Sequence, residues 1–263
     1  MIISKIRLKN IIKFLQLGFF LNLVTHSRFR KKFIKLVKAV DHNFSESYVV
    51  HYNSALKNEL TDLFSKYGSD KGASEKNFSY NWMPHTYSDY YYHVFRADRN
   101  SIKNILEVGI GSNNLSTPSN MGESGSPGAS LKAWRDFFPN AFIYGCDIDP
   151  DTLFTEERIF TFQMDQTDSK SIIHTLDKIK EINFDIVIDD GLHTFLAGKT
   201  LFTNVFHRLS ADSVYIIEDV HLEDLDSYCE FFSNYPVYFY FVKLKRTNEP
   251  INSDNNLLVV RKC

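Results

Sequence analysis

The chain is expected to adopt an α/β fold: a seven-stranded, mostly parallel sheet with helices on both faces, an antiparallel pair at its C-terminal edge and a helical N-terminal extension. Three observations predict it. After Asn104, apolar runs alternate with helical segments of roughly 10–20 residues, the alternation that builds a parallel sheet. Several runs end on an acidic residue, and the first ends on Gly-x-Gly. The 263 residues, 43% hydrophobic and 24% charged with 11 Gly and 7 Pro, suit one large core and exclude disordered, collagen-like and low-complexity classes.

Residues 1–45 read as a basic amphipathic helical extension. The first 40 carry ten Lys or Arg and no acid, while the other 20 bases face all 32 acids. The net charge of −2 therefore divides into a tail of +10 and a body of about −12. Its apolar stretch, Ile11 to Val24, is too short and interrupted for a spanning helix of ~20 residues. It runs into Arg28-Phe29-Arg30-Lys31-Lys32 rather than a small-residue cleavage site. Two readings stand: a helical pair packing on the body or on another subunit of a homo-oligomer, or a basic helix resting on an anionic membrane surface. An acidic body argues against nucleic acid as a partner. Cys146, Cys229 and Cys263 are odd in number and widely spaced, which excludes a disulfide scaffold or a zinc site and predicts a cytoplasmic location, with the tail able to reach the inner membrane face.

Residues 46–99 read as an N-terminal helical or lid segment. Tyr67-Gly68-Ser69-Asp70-Lys71-Gly72 is a loop, and Thr86 to Phe95 a helix whose many tyrosines pack on the core. Within 100–263 the strands fall at 105–109, 142–147, 159–163, 186–189, 213–218, 237–244 and 256–261, the last two forming the antiparallel pair.

The chemistry gathers where strands end. Glu107-Val108-Gly109-Ile110-Gly111 lets the backbone turn tightly under a ligand, but Asn114 replaces the third glycine of a dinucleotide fingerprint and Glu107 disfavours a pyrophosphate. A cationic ligand suits this turn better. Asp147 ends the second strand where a carboxylate accepts ribose hydroxyls, and Asp165 follows the third, within reach of an adenine amino group. The Ser112–Gly128 loop lies where a substrate lid would be. Asp189, Asp190 and His193 follow the fourth strand, and Glu218 and Asp219 the fifth. Four carboxylates so close need a metal ion, hydrogen-bond donors or shared protons, and oxygen ligands favour Mg²⁺ over zinc. His193, after a permissive glycine, is the candidate base, whereas His174, His207 and His221 read as structural.

These stretches, together with His85-Thr86-Tyr87, Gly128 to Ala141 and Asp165-Gln166, resemble the class I S-adenosylmethionine-dependent methyltransferases, and within them the sugar O-methyltransferases that act in macrolide biosynthesis. The resemblance spans residues 67–219. It implies a Rossmann-like fold, with 100–263 as the S-adenosylmethionine-binding domain. By it, Glu107, Gly109, Gly111, Asp147, Asp165 and Asp189 hold the cofactor. Asp190, Glu218 and Asp219 coordinate Mg²⁺, and His193, with Asp190, is catalytic. Lys71, His85 and Tyr87 would serve as lid or substrate contacts. Leu192, where a serine is usual, and the long Ser112–Gly128 loop depart from the pattern. The richness in Asn, Lys, Ile and Phe points to a nucleotide-activated sugar such as a GDP-heptose of a capsule or O-antigen. The alternatives are a glycosylated natural product as acceptor, a nicotinamide oxidoreductase and a silent binding subunit.

Overall fold

The computed structural model describes residues 47–51, 57–72, 80, 82–180, 182–245 and 255–262; the basic extension lies outside them. Nine strands form one sheet: β1 (Ser47–His51), β2 (Asn104–Val108), β3 (Phe142–Asp147), β4 (Thr155–Glu156), β5 (Ile159–Gln163), β6 (Phe184–Asp189), β7 (Leu209–Glu218), β8 (Val237–Lys245) and β9 (Asn256–Lys262). Their order is β1-β8-β9-β7-β6-β2-β3-β5-β4. Seven are the expected strands. The additions are β1, which pairs parallel with β8, and the two-residue β4, which pairs antiparallel with β5. β9 lies antiparallel between β7 and β8, so the expected edge pair is flanked on its outer side by β1.

The central strands β2, β3, β5, β6 and β7 run parallel. Their near-continuous apolar runs are those of strands covered on both faces, as the burial of all but the ends of β2 and β6 shows. Six α-helices occur among the described residues: α1 (Glu59–Tyr67), α2 (Tyr87–Phe95), α3 (Ala129–Phe137), α4 (Ser169–Lys178), α5 (Phe195–Val205) and α6 (Leu225–Phe232). None is long and apolar enough to cross a membrane. Local chemistry sets their limits. The Asn58, Asp168 and Thr194 side chains accept N–H groups at the starts of α1, α4 and α5. Gly68 ends α1 at φ 81°, where a side chain would be strained.

That left-handed turn aims the chain at the sheet's carboxyl end. Segment 68–72 then pairs with the start of α2, Asp70 accepting from His85 N–H at 2.8 Å and Lys71 from Ser88 N–H at 2.9 Å. Beneath lies an aromatic core in which Trp134 of α3 meets Phe64 of α1 and Tyr91 of α2 edge-on, with ring centroids 4.9 and 5.2 Å apart. Its indole N–H donates to the buried Glu107 carboxylate at 2.7 Å. Trp134→Phe should therefore cost roughly 2 kcal/mol, because it strips a donor from a buried carboxylate as well as removing packed atoms. Urea denaturation checks this, and a loss under about 0.5 kcal/mol would show that the bond contributes nothing net.

Candidate active site

Strand order reverses between β2 and β6, the place where open α/β sheets leave a crevice at the carboxyl ends of their strands. A cavity of about 500 Å³ opens there. Val108 to Gly111 form one wall, Asp190 to His193 another, and Ser69 to Lys71 with Trp82 and His85 a third. The two strand ends nearly touch, Asp190 N–H donating to Val108 C=O at 2.8 Å. Gly109 is obligatory at this approach. Its φ is 90°, and a Cβ there would run into the Asp190 carbonyl.

Asp147 organises the glycine turn. One of its oxygens accepts the N–H groups of Ile110 and Gly111 at 3.0 and 3.1 Å, and the other accepts that of Asp149. It also lines the cavity, as do Gly109, Gly111 and Asp165, so four of the six expected cofactor residues meet there. Glu107 and Asp189 are not among the lining residues. Strand register places Val108 level with Asp189 and Glu107 level with Ile188, so the two acids sit on opposite faces of the sheet, each held by its own buried partners. Glu107 is fully buried against Trp134, and Asp189 accepts from Gln166 and, at 3.1 Å, from Tyr215. Burial lifts the Asp189 carboxyl to about 6. The Ser112–Gly128 loop does form a wall, through Thr117 to Met121 and Ser126. Asn113 braces it by donating to the carbonyls of Gly122 and Gly125.

Asp190, His193 and Asp219 converge, each offering a ligand atom within 4.8 Å of the others. His193 Nε2 stands 3.2 Å from Asp190 and 3.6 Å from Asp219. His193 and Asp219 both adopt left-handed backbone, φ 55° and 51°, a strained conformation that turns each chain just past its strand end. Glu218 departs from the expected ligand set. One of its oxygens accepts from Lys71 and the other from Tyr91. Lys71, only 3% exposed, bridges the acids: it donates to Asp190 at 2.5 Å and to Glu218, and lies 3.5 Å from Glu107.

Of the three residues expected as lid or substrate contacts, Lys71 lines the cavity with its ammonium already engaged by acids, and Tyr87 is not among the lining residues. Tyr87 is fully buried and donates to Asp219, while His85, stacked on its ring at 4.7 Å, does face the cavity. Tyr91 and Gln166 were missed as site residues. One turn of α2 places Tyr87 and Tyr91 on the same face and delivers a phenol to each of the two acids. That spacing is equally the signature of plain core packing.

Electrostatics follow the contacts. Burial opposes charge on Lys71, but Asp190, Glu218 and Glu107 hold its ammonium well above the ordinary value. Burial likewise opposes charge on His193, yet its hydrogen bond to Asp190 and the charges of Asp219 and Asp190 push it up to about 10. Asp190 is also desolvated, and Lys71 and His193 nonetheless hold it below the usual carboxylate range. Burial, with Asp190 and Glu107 nearby, lifts Glu218 well above that range despite Lys71.

No protein-family model matches the chain. Among curated proteins it is 35% identical over 166 residues to mycinamicin VI 2''-O-methyltransferase of Micromonospora griseorubida, covering 62% of this chain and 36% of that one. It is 32% identical over 161 residues to 8-demethyl-8-alpha-L-rhamnosyl tetracenomycin-C 2'-O-methyltransferase of Streptomyces olivaceus, covering 61% and 37%. With demethylmacrocin O-methyltransferase of Streptomyces fradiae it shares 33% over 167 residues, covering 64% and 38%. The chain thus spans little more than a third of the length of these relatives, which are sugar O-methyltransferases. The solved MycE methyltransferase of the mycinamycin biosynthetic pathway, in complex with Mg, SAH and mycinamycin VI, superposes with a TM-score of 0.56 at 24% identity, over 78% of this chain and 55% of that one. The fold is that of the class I methyltransferases. Open α/β sheets bind ligands in the crevice at the switch point, and this chain's acid cluster borders that crevice directly.

The raised His193 makes a pH prediction. An imidazolium held above its ordinary 6.5 stabilises the fold fully below that pH, and the contribution is lost as pH rises through about 10. In EDTA, the melting-temperature advantage of the parent over His193→Gln should therefore shrink across this interval. An advantage that grows with pH would contradict the arrangement.

Proposed function

We infer that the chain is an S-adenosylmethionine-dependent O-methyltransferase acting on a sugar hydroxyl. The observation that carries this reading is that Asp190, His193 and Asp219 face the same cavity as the Gly109–Gly111 turn. A volume of about 500 Å³ suits a nucleoside-sized cofactor with room beside it for an acceptor.

The cofactor would lie over Gly109 and Gly111, with Asp147 fixing the turn and Asp165 at the adenosine end. The acceptor would enter between Trp82, His85 and the Ser112–Gly128 loop, which together exclude water from the crevice. The His193 imidazole takes the proton of the attacking hydroxyl. The new O–CH₃ bond forms as the S–CH₃ bond breaks, and its electron pair stays on sulfur. Most of the acceleration in such a displacement comes from alignment.

The donor set, two carboxylates and an imidazole with further acids adjacent, fits a hard divalent cation such as Mg²⁺. Asp190 and Asp219 would hold it. When bound, such an ion would supply positive charge between these acids and would make a neighbouring hydroxyl more acidic, so that the His193 imidazole could be neutral and act as base. Asp190 and Asp219 orient His193 in either case, through the contacts already described.

The relatives are named as O-methyltransferases of natural products, one of them at the 2'-position of a rhamnosyl tetracenomycin, which favours an acceptor sugar already attached to a larger molecule. A nucleotide-activated sugar such as a GDP-heptose for a capsule or O-antigen rests on composition alone and forms the second arm of the test. Transfer of labelled methyl from S-adenosylmethionine to glycosylated natural products and to nucleotide sugars, read by mass spectrometry, should show label in a sugar, lost in EDTA and restored by Mg²⁺. His193→Ala should cut turnover by about 10²-fold or more while cofactor binding stays within a few-fold. Unchanged turnover refutes the base, label that persists in EDTA removes the metal, and no cofactor binding overturns the reading.

A further inference from the structure

The acid cluster contains one oxygen that nothing explains. Glu107 Oε1 is fully buried with no hydrogen-bond partner at close range, although Oε2 is held by Trp134 and the Ser130 hydroxyl helps keep the carboxyl charged. Leaving a buried carboxylate oxygen unpaired is costly. Lys71 Nζ stands 3.5 Å from it, beyond good hydrogen-bond distance, because it is drawn to Asp190 and Glu218 instead. An ammonium has three donors on a flexible stem, so a small movement would exchange these partners for Glu107.

We propose that Lys71 is a displaceable internal counter-ion: it holds Asp190 and Glu218 together while no divalent cation is bound, and moves onto Glu107 Oε1 when one takes over Asp190. Two observations converge on this. Asp190, one of the three groups that converge within ligand distance of one another, is also the acid that Lys71 ties to Glu218. The acceptor 3.5 Å from Lys71 belongs to Glu107, a residue that does not line the cavity. The seat on Glu107 lets the positive charge withdraw without being stranded in a site that excludes water. Glu107, expected to hold cofactor, thereby becomes a positioning residue that acts through Lys71.

The proposal rests on the reading of the site as one that takes a divalent cation. It is tested by calorimetric titration of Mn²⁺ into the full chain and three variants, with melting temperatures in EDTA alongside. Lys71→Met should tighten Mn²⁺ at least about tenfold, since a unit charge beside the ion is removed, and should lower the EDTA melting temperature. Glu107→Gln keeps an acceptor for Trp134 but removes the charge that receives Lys71, and should weaken Mn²⁺ about tenfold. In the Lys71→Met background the same Glu107→Gln change should have little effect. A merely structural lysine would lower the melting temperature without this pattern.

Lys71→Met that binds Mn²⁺ no tighter than the parent overturns the proposal. So does Glu107→Gln acting equally in both backgrounds, or a parent and Lys71→Met that both ignore Mn²⁺. If Lys71→Met alone does not fold, the double variant, which removes one charge of each sign, must bind Mn²⁺ more tightly than Glu107→Gln does. Methyl transfer is not the readout. A chain that transfers methyl without these shifts loses only the counter-ion, and one that shows the shifts without transfer loses only the function.

Discussion

Four carboxylates, Glu107, Asp190, Glu218 and Asp219, crowd the ends of three neighbouring strands, and satisfying them where water is scarce is the constraint on which the site is built. Desolvated charges must be paired or they neutralise. Lys71 bridges three of the four, Tyr87 and Tyr91 donate to Asp219 and Glu218, and Trp134 donates to Glu107. These donors come from α1's following turn, from α2 and from α3, so the helices before and after β2 are part of the site's chemistry rather than a cover over it. Removing any one leaves an acid with one donor fewer in a desolvated site, which ties folding to electrostatics at this point.

The second dependence is backbone proximity. The Gly109 turn and the Asp190 turn lie in van der Waals contact, with Asp147 accepting the amides of the first and Gln166 accepting Leu192 N–H in the second. The wall that would cradle a cofactor and the wall that carries His193 are therefore held against each other through the backbone. Left-handed geometry at His193 and Asp219 adds roughly 1 kcal/mol of strain each, sustained by the surrounding contacts. Their coincidence with the two acids and imidazole that converge is what marks this end of the sheet as functional.

Much of this was legible in the sequence. The central strands follow from apolar runs of helix-alternating spacing, and their acidic ends identify the crevice without reference to any contact. Strand β4 was not, since two residues carry no periodicity, and β1 is a short run whose partner β8 lies far along the chain. Sequence does not tell which acids line the cavity: Glu107 and Asp189 lie on opposite faces of the sheet and are each taken up by a buried donor, Trp134 for one and Gln166 with Tyr215 for the other, contacts that no spacing announces. Tyr91 was hidden for another reason: an aromatic at helical spacing looks the same whether its hydroxyl meets water or a carboxylate. Lys71 illustrates the limit most clearly, as nothing in a loop of Gly, Ser and Asp states that its lysine is buried among three acids.

The central claim is that one cavity holds the sulfonium methyl beside the Asp190–His193–Asp219 cluster. Nuclear magnetic relaxation of ¹³C-methyl S-adenosylmethionine bound to the full chain, with Mn²⁺ as a paramagnetic probe, tests it most directly. The account predicts strong distance-dependent broadening of the methyl resonance by Mn²⁺, abolished in a chain carrying Asp190→Asn and Asp219→Asn that still binds the cofactor. A methyl resonance that Mn²⁺ leaves untouched while both ligands are bound would place the two sites apart and contradict it.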